Sequence, residues 1–282
     1  MSLTVGTAPF GRTPAGTFNA RIDGPAHILY FEASPRRVRA IAGGVTVADS
    51  TRASLMHETG LLPVYYFPLE DVRTDLLEPS DHVTHCPFKG EATHWTLVAD
   101  GRRIEAAAWE YRDPIEGAPP IAGHLAFYWA KLDHWLEEDE EVFGHARDPY
   151  HRIDVVPSSR RVVVRLDGEV LAESTRALAL FESGLPTRWY LPPEDVRAAL
   201  VPSNTRTRCT YKGVASYLSV DGAGEAGTDV VWSYPDPLRQ VADIAGRVAF
   251  FNERVDIEVD GAAEERPVTQ WSTGLPSAPP RP

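Results

Sequence analysis

Cysteine is scarce in this chain of 282 residues, which contains only Cys86 and Cys209. Two cysteines cannot build a disulfide framework, and the N-terminal residues lack the apolar segment of about 7–15 residues that a secretory signal requires. No run of residues approaches the roughly 18 apolar residues of a membrane-spanning helix either. These absences predict a cytoplasmic protein with reduced thiols and no membrane partner.

Motifs for metals, nucleotides and nucleic acids are missing as well. The chain has neither C-x-x-C nor H-E-x-x-H, which are spacings typical of zinc sites. It also lacks G-x-G-x-x-G and the phosphate-binding G-x-x-x-x-G-K-[ST]. Lysine and arginine number 28 against 40 aspartates and glutamates, so the formal net charge is −12 and a polyphosphate backbone would be repelled. We therefore expect no metal, no cofactor and no nucleic-acid partner.

The chain contains an internal duplication. The segment RRVRAIAGGVTVADSTRASLMHETGL, which begins at Arg36, recurs as RRVVVRLDGEVLAESTRALALFESGL, which begins at Arg160. Equivalent residue numbers differ by 124 here, and by 123 after one residue is lost beyond Arg73. Each unit is about 100 residues long, the size of a small domain. The duplication predicts five parts: an N-terminal leader (1–35), a first β domain (36–133), an acidic linker (134–159), a second β domain (160–261) and a C-terminal tail (262–282).

Two segments outside the copies have distinctive compositions. Residues 137–141 are all acidic, a run that is typical of solvated surface. Trp135, Val142 and Phe143 flank this run, which favours packing of the linker against a domain. Residues 274–282, GLPSAPPRP, are typical of a disordered tail.

Periodicity in the second copy predicts many short strands. Residues 162–166 alternate with a period of two, and Asp167-Gly168 then predicts a hairpin. Lys212-Gly213 predicts a second hairpin, and residues 247–259 predict a third, joined by Asn-Glu-Arg. Residues 193–200 fit a short helix with proline and acidic residues in its first turn. The predicted fold is mainly β, with two tandem copies of a small antiparallel β domain that each contain one short helix.

The most specific repeated motif is C-x-[FY]-K-G, which contains Cys86 and Lys89 in the first copy and Cys209 and Lys212 in the second. Cysteine and lysine are candidate nucleophiles, and a nearby ammonium lowers the pKa of a thiol. Residues three apart on one extended strand point to opposite faces, so the two side chains meet only if Lys-Gly turns the chain. The alternative is a buried structural cysteine beside a turn lysine that covers apolar surface.

Carboxylates recur at fixed places in both copies. Glu58 in H-E-T-G and Glu182 in F-E-S-G are candidates for a general base or for the ion-pair partner of the motif lysine. The alternative is that they cap backbone amides at the following glycine turn. Asp71 and Asp195, in P-x-E-D-V-R, are expected to cap a helix. The candidate catalytic residues are therefore Cys209, Lys212, Glu182, Cys86, Lys89 and Glu58.

Aromatic side chains recur as well. Trp109 and Tyr111, in W-x-Y-x-D-P, share one face of a strand, and Trp232 and Tyr234 do the same. Such residues either line a ligand cleft or fill the core. The candidate ligand-binding residues are Trp232, Tyr234, Tyr190 and Tyr217 in the second copy and Trp109, Tyr111, Tyr66 and Trp95 in the first.

Several motifs occur in the same order in both copies: E-[ST]-G, Y-x-P-x-E-D-V, C-x-[FY]-K-G-x-A, W-x-Y-x-D-P and I-A-G-x-x-A-F. This set resembles the bacterial family called domain of unknown function 427, over residues 36–145 and 160–261. The resemblance implies a β-tent fold similar to Mss4-like proteins, in which two antiparallel sheets meet at an angle. Many relatives with that fold hold zinc with paired C-x-x-C motifs, which this chain lacks. The resemblance also implies an aromatic-lined cleft between the sheets as the default ligand site.

Three functions are compatible with these patterns. The favoured hypothesis is a tandem β domain that binds a small molecule in an aromatic-lined cleft of each copy. The first alternative is an enzyme that uses the cysteine or lysine of C-x-[FY]-K-G. The second is an intramolecular pseudo-dimer that binds another protein. The family has also been labelled a nucleotidyltransferase, and such enzymes place Gly-Ser ahead of paired carboxylates that bind magnesium. The chain has no Gly-Ser, and Asp256, Glu258 and Asp260 alternate with Ile257 and Val259 as the core face, so these acids are expected to be solvated.

Overall fold

The computed structural model describes residues 3–19, 26–269 and 271–272. The chain divides into two compact units, Met1–Tyr150 and His151–Pro282. The predicted disorder of residues 274–282 lies outside the described residues.

The first unit contains short strands and single-turn 3₁₀ helices. Its strands are β1 (Leu29–Ala33), β2 (Val38–Ala42), β3 (Val45–Ser50), β4 (Ser54–Glu58), β5 (Leu61–Pro68), β6 (Leu77–Cys86), β7 (Gly90–Ala99), β8 (Arg102–Glu110), β9 (His124–Phe127), β10 (His134–Glu137) and β11 (Glu140–Glu141). Its 3₁₀ helices are Leu69–Asp71, Thr74–Leu76 and Trp129–Lys131. The strands form a seven-stranded sheet in the order β1-β4-β5-β9-β8-β7-β6 and a four-stranded sheet in the order β11-β10-β2-β3.

The second unit repeats this plan. Its strands are β12 (Ile153–Pro157), β13 (Val162–Leu166), β14 (Glu169–Ser174), β15 (Leu178–Glu182), β16 (Arg188–Leu191), β17 (Leu200–Cys209), β18 (Gly213–Val220), β19 (Val231–Ser233), β20 (Val248–Phe250), β21 (Asp256–Val259) and β22 (Ala262–Ala263). Its 3₁₀ helices are Pro193–Asp195, Gly224–Gly227 and Arg239–Ile244. The sheet orders are β12-β15-β16-β20-β19-β18-β17 and β14-β13-β21-β22. The predicted fold class is confirmed, since each unit has two antiparallel sheets and helices that are few and short.

Each seven-stranded sheet has two apolar faces. In β5, Tyr65 and Phe67 pack into a core shared with the four-stranded sheet, while Tyr66 points the other way. In β16, Trp189 and Tyr190 divide between the two faces in the same manner. Successive side chains of a strand alternate between faces, so each unit has a between-sheet core and a second apolar cluster on the opposite face. We call the apolar cluster on the opposite face, which contains Tyr66 in the first unit and Tyr190 in the second, the outer cluster.

Two of the predicted hairpins are confirmed and the third is wrong. β13 pairs with β14 across Asp167-Gly168, and β17 pairs with β18 across Lys212-Gly213. In contrast, β20 pairs with β16 and β19 in one sheet, whereas β21 pairs with β13 and β22 in the other. The segment between β20 and β21 therefore crosses from one sheet to the other, which local alternation cannot distinguish from a hairpin.

The helix expected over residues 193–200 is only one 3₁₀ turn, Pro193–Asp195. The chain then extends, and Val196 forms an antiparallel bridge with Ala172. Asp195 makes no capping hydrogen bond in this turn and instead accepts hydrogen bonds from Ser174 and Arg176, both at 2.6 Å. Asp71 has equivalent partners in the first unit.

Parts of the predicted leader and linker belong to the sheets. β1 lies within residues 1–35, and β10, β11 and β12 lie within residues 134–159. In β10, Trp135 and Glu137 are both buried, because alternate side chains face the core. Glu137 accepts hydrogen bonds from the Tyr65 hydroxyl at 2.7 Å and the Arg147 amide at 3.1 Å, and it pairs with Arg36. The interpretation of the whole acidic run as solvated surface was therefore wrong for its first residue.

Candidate functional site

The C-x-[FY]-K-G motif forms the tight turn between two long strands. β6 ends at Cys86, β7 begins at Gly90, and the Lys89 amide donates back to the Cys86 carbonyl at 3.3 Å. Gly90 has φ +104°, and a Cβ there would lie 3.2 Å from Ile115. In the second copy Gly213 has φ +100°, and a Cβ would lie 3.3 Å from the Asp236 carbonyl oxygen. The motif requires glycine at this position because a side chain would be strained and crowded.

This turn brings the motif lysine to the recurring glutamate. The Lys89 ammonium donates to Glu58 Oε2 at 2.5 Å, and both side chains are buried. Lys212 and Glu182 form the same buried pair in the second copy. The sequence left open whether the two glutamates act as a general base, pair with the motif lysine or cap backbone amides. Their geometry is that of ion-pair partners of the lysine.

A histidine that the sequence analysis missed completes the arrangement. His27 Nε2 lies 2.8 Å from Glu58 Oε1, and its ring stacks on Phe88 with centroids 4.0 Å apart. The aromatic position of C-x-[FY]-K-G is thus the surface on which the imidazole rests. The shift of 124 that relates the copies carries His27 onto His151, so extending the repeat upstream of Arg36 would have found it.

The second copy has the same geometry. His151 Nε2 lies 3.2 Å from Glu182 Oε1, and its ring stacks on Tyr211 with centroids 3.7 Å apart. We call this set of three residues, His27, Glu58 and Lys89 or His151, Glu182 and Lys212, the His–Glu–Lys network. It is present once in each copy.

The protonation states of the second network follow from burial and charge. Burial disfavours the Lys212 ammonium, but the charges of Glu182 and Cys209 outweigh it and hold the pKa of Lys212 above its ordinary 10.5. Burial likewise opposes ionisation of Glu182, yet Lys212 and a hydrogen bond from His151 lower its pKa to about 2. Burial lowers the pKa of His151 despite its bond to Glu182. At neutral pH the network contains an ammonium, a carboxylate and a neutral imidazole whose Nε2–H donates to Glu182.

The outer cluster lies next to this network. In the second copy it contains Tyr190, Trp232 and Tyr234, with Cys209 and Tyr217 packed against it. The Trp232 indole donates to the Tyr190 hydroxyl at 3.0 Å, and the two rings meet edge to face. Burial raises the pKa of Tyr190 to about 12, so its hydroxyl stays protonated at neutral pH.

The first copy builds a similar cluster. Tyr66 and Tyr111 are buried in it, with Trp109 and Cys86 packed against it, and the Lys89 ammonium lies 5.7 Å from the Tyr111 ring centroid. The structure therefore brings together Cys, Lys, Glu, Trp and two Tyr of each copy. His94 stands where the second copy has Tyr217, and its Nε2 lies 3.1 Å from the Tyr128 hydroxyl.

One candidate ligand-binding residue does not join the others. Trp95 packs against the between-sheet core, and its indole donates to Glu110 at 3.2 Å. The remaining seven belong to the outer clusters, on the face opposite the four-stranded sheet. The expected aromatic-lined cleft between the sheets does not match this geometry, because that space is filled by the core.

Two further findings bear on function. Among the residues that the structure describes, no group of three or more His, Cys, Asp or Glu side chains is arranged to hold a metal ion. Over the same residues, no helix is both long enough and apolar enough to cross a membrane.

Comparison with known proteins identifies a family. A comparison with curated proteins finds no match. The family described as Domain of unknown function (DUF427) matches the chain twice, over residues 30–138 and 154–261. The first match includes β2 to β10 and all of β1 except Leu29, and the second includes β13 to β21 and all of β12 except Ile153. The chain therefore belongs to the DUF427 family and contains two copies of its domain.

Proposed function

We propose that each copy binds a small molecule where the His–Glu–Lys network meets the outer cluster. The observation that carries this proposal is that the same six polar and aromatic side chain types are assembled twice with closely similar distances. Binding sites for small molecules typically combine aromatic walls with a few oriented polar groups. The network and the cluster together supply that combination.

Stability alone is a poor explanation for the buried ion pair. Removing an ammonium and a carboxylate from water is costly, and an apolar pair of similar volume is often equally stable. Lys89 and Glu58 nevertheless recur as Lys212 and Glu182. A binding role explains why both copies contain the pair.

The first copy offers the more accessible site. The His27 side chain is 22% exposed, and Phe88, on which it stacks, is 36% exposed. In the second copy the His151 side chain and Tyr211 are buried. We therefore expect ligands to reach the first network more readily.

The test is a screen of soluble metabolite fragments by saturation-transfer NMR. The full-length protein is compared with the first-copy pair variant, Glu58→Gln/Lys89→Met, which removes both charges and keeps the volume. The matched control is Arg73→Met/Asp75→Asn, because that ion pair is exposed. We expect fragments that bind wild type and the control more strongly than the pair variant, because that variant has lost the more accessible of the two sites. Fragments that bind all three proteins equally, or no binding to wild type, would refute the proposal.

A second candidate function is catalysis by the motif cysteine. The raised pKa of Lys212 makes this lysine a poor nucleophile at neutral pH, and the Cys209 charge contributes to that pKa. Cys209 packs against the outer cluster and lies three residues before Lys212, so it is the candidate nucleophile of this alternative. Alkylation of Cys209 by iodoacetamide faster than that of free cysteine, and slower in Lys212→Met, would support this function. A rate no higher than that of free cysteine, with Cys209 fully accessible to the reagent, would argue against a thiolate nucleophile.

The expectations about partners and compartment remain predictions. They are the absence of nucleic-acid and membrane partners, the intramolecular pseudo-dimer and the cytoplasmic location.

A further inference from the structure

Arg188 is a buried cation beside the outer cluster, and it is specific to the second copy. Its equivalent in the first copy is Val64. The side chain is only 6% exposed and makes two hydrogen bonds to buried Glu253, at 2.6 and 2.8 Å. A third bond, at 3.1 Å, reaches Asn252. These partners occupy donors at the edge of the guanidinium, and its flat faces are the surfaces suited to stacking.

Two tryptophan rings lie against this guanidinium. The Arg188 Cζ is 5.5 Å from the Trp232 ring centroid and 5.7 Å from the Trp271 ring centroid. Trp232 belongs to the outer cluster, whereas Trp271 comes from the segment after β22. Aromatic rings at this distance are attracted by the cation.

A small turn holds Trp271 in place. The Thr269 hydroxyl donates to Glu253 at 2.6 Å, and the Trp271 amide donates to the same hydroxyl at 3.2 Å. The Ser272 amide closes the turn on the Thr269 carbonyl at 3.1 Å. Thr269, Trp271 and Ser272 are therefore linked by hydrogen bonds to Glu253, the partner of Arg188. Trp271 nevertheless remains 39% exposed.

We propose that Arg188 and Trp232 form a stacking site for a neutral planar aromatic ring, and that Trp271 occupies this site as an internal ligand. The proposal rests on the proposed function, because the site shares Trp232 with the outer cluster. Glu253 compensates the charge of Arg188, so the site favours a neutral ring over an anion. A free ring binds when it displaces Trp271.

The site makes the two copies different in specificity. In the first copy Val64 and Ala130 stand at the positions of Arg188 and Glu253. That copy lacks the cation and its carboxylate, so it offers an apolar wall where the second copy offers a stacking cation. A neutral aromatic ring is thus selected by the second copy.

Indole is the probe for the first test, an NMR titration of the full-length protein. We expect Trp271→Ala to bind indole at least tenfold more tightly than wild type, because the competing ring is gone. The matched control is Val268→Ala, since Val268 is 80% exposed in the same segment. Adding Arg188→Met/Glu253→Gln to Trp271→Ala should abolish the gain in indole affinity. Equal affinities of wild type and Trp271→Ala would overturn the proposal.

A second measurement follows the wild-type site directly and uses a substitution only to assign one signal. In protein labelled with 5-fluorotryptophan, the Trp271 signal is assigned from its loss in Trp271→Phe. Saturating indole should move this signal to the position of a solvent-exposed ring. A bound indole that leaves the Trp271 signal unmoved would also overturn the proposal.

The outcomes distinguish this proposal from the proposed function. Fragment binding depends on the Lys–Glu pair, whereas indole binding depends on Arg188 and Trp271. If fragment binding depends on the Lys–Glu pair, but Trp271→Ala does not bind indole more tightly than wild type, then only the proposal of a stacking site fails. If indole behaves as expected and no fragment depends on the pair, then only the proposed function fails.

Discussion

Replacing Glu182 by glutamine should destabilise the second copy strongly. Glu182 and Lys212 are both buried, so the substitution leaves the ammonium without its counter-charge. Removing one partner of a buried ion pair lowers the free energy of unfolding by about 3–5 kcal/mol. The pKa of Glu182, lowered from 4.5 to about 2, corresponds to about 3 kcal/mol, which is of the same order.

The pH dependence of this effect has a definite sign. Because the pKa of Glu182 is lower in the folded state, its contribution to stability is fully present above pH 4.5 and is lost as pH falls toward 2. Between pH 5 and pH 3, the stability advantage of wild type over Glu182→Gln should shrink by about 2 kcal/mol.

The assay is urea unfolding followed by tryptophan fluorescence at pH 7, 5 and 3. Two further variants make it specific. Glu182→Gln/Lys212→Met should recover at least about 2 kcal/mol of the loss, because no unpaired charge remains. Asp256→Asn breaks an exposed pair with Arg266 and should cost less than about 1 kcal/mol. A single variant as stable as the double variant, or an advantage that does not change with pH, would refute the reasoning.

Three further predictions concern the same copy. Gly213→Ala should lower the free energy of unfolding by about 1–3 kcal/mol because φ at this position is +100°. The control Gly16→Ala, where an added Cβ would lie in open space, should change it by less than about 0.5 kcal/mol. Similar losses in the two variants would contradict the turn geometry. Tyr190→Phe leaves the buried Trp232 N–H without its acceptor and should cost about 1–3 kcal/mol in the same urea assay, and a neutral result would exclude that bond. In a ¹⁵N NMR titration, Lys212 should titrate above 10.5 in wild type and at a lower pH in Glu182→Gln, because the largest charge that opposes the effect of burial is then removed. The stability that the raised pKa of Lys212 adds is present below pH 10.5 and lost above the folded pKa.

Much of the site was predictable because the chain repeats itself. Comparing the copies selected Glu58, Lys89 and Cys86 with their counterparts, and the structure brings each set together. The glycine of C-x-[FY]-K-G indicated the turn that makes the lysine reach the glutamate. These predictions rest on short-range geometry, which a sequence motif specifies well.

The remainder depended on contacts between distant segments. His27 lies outside the most similar stretch of the repeat. Only the 124-residue shift between the copies, which relates His27 to His151, could have identified it as a site residue. Trp95 and Trp109 lie on neighbouring strands, and which face each occupies depends on register and on a bulge between Trp95 and Leu97. Arg188 and Trp271 are 83 positions apart with no counterpart in the first copy, so no comparison of the copies could pair them.

The central claim is that the His–Glu–Lys network is part of a ligand site. The chain contains only three lysines, Lys89, Lys131 and Lys212, so a ¹⁵Nζ NMR spectrum has at most three ammonium signals. Lys131 lies outside both networks, where it donates to the Glu105 and Ala106 carbonyls, and it serves as the internal control. During titration with the tightest-binding fragment, we predict that the Lys89 or Lys212 signal shifts while the Lys131 signal stays. A bound fragment that shifts neither of the network lysines, or only Lys131, would contradict the account.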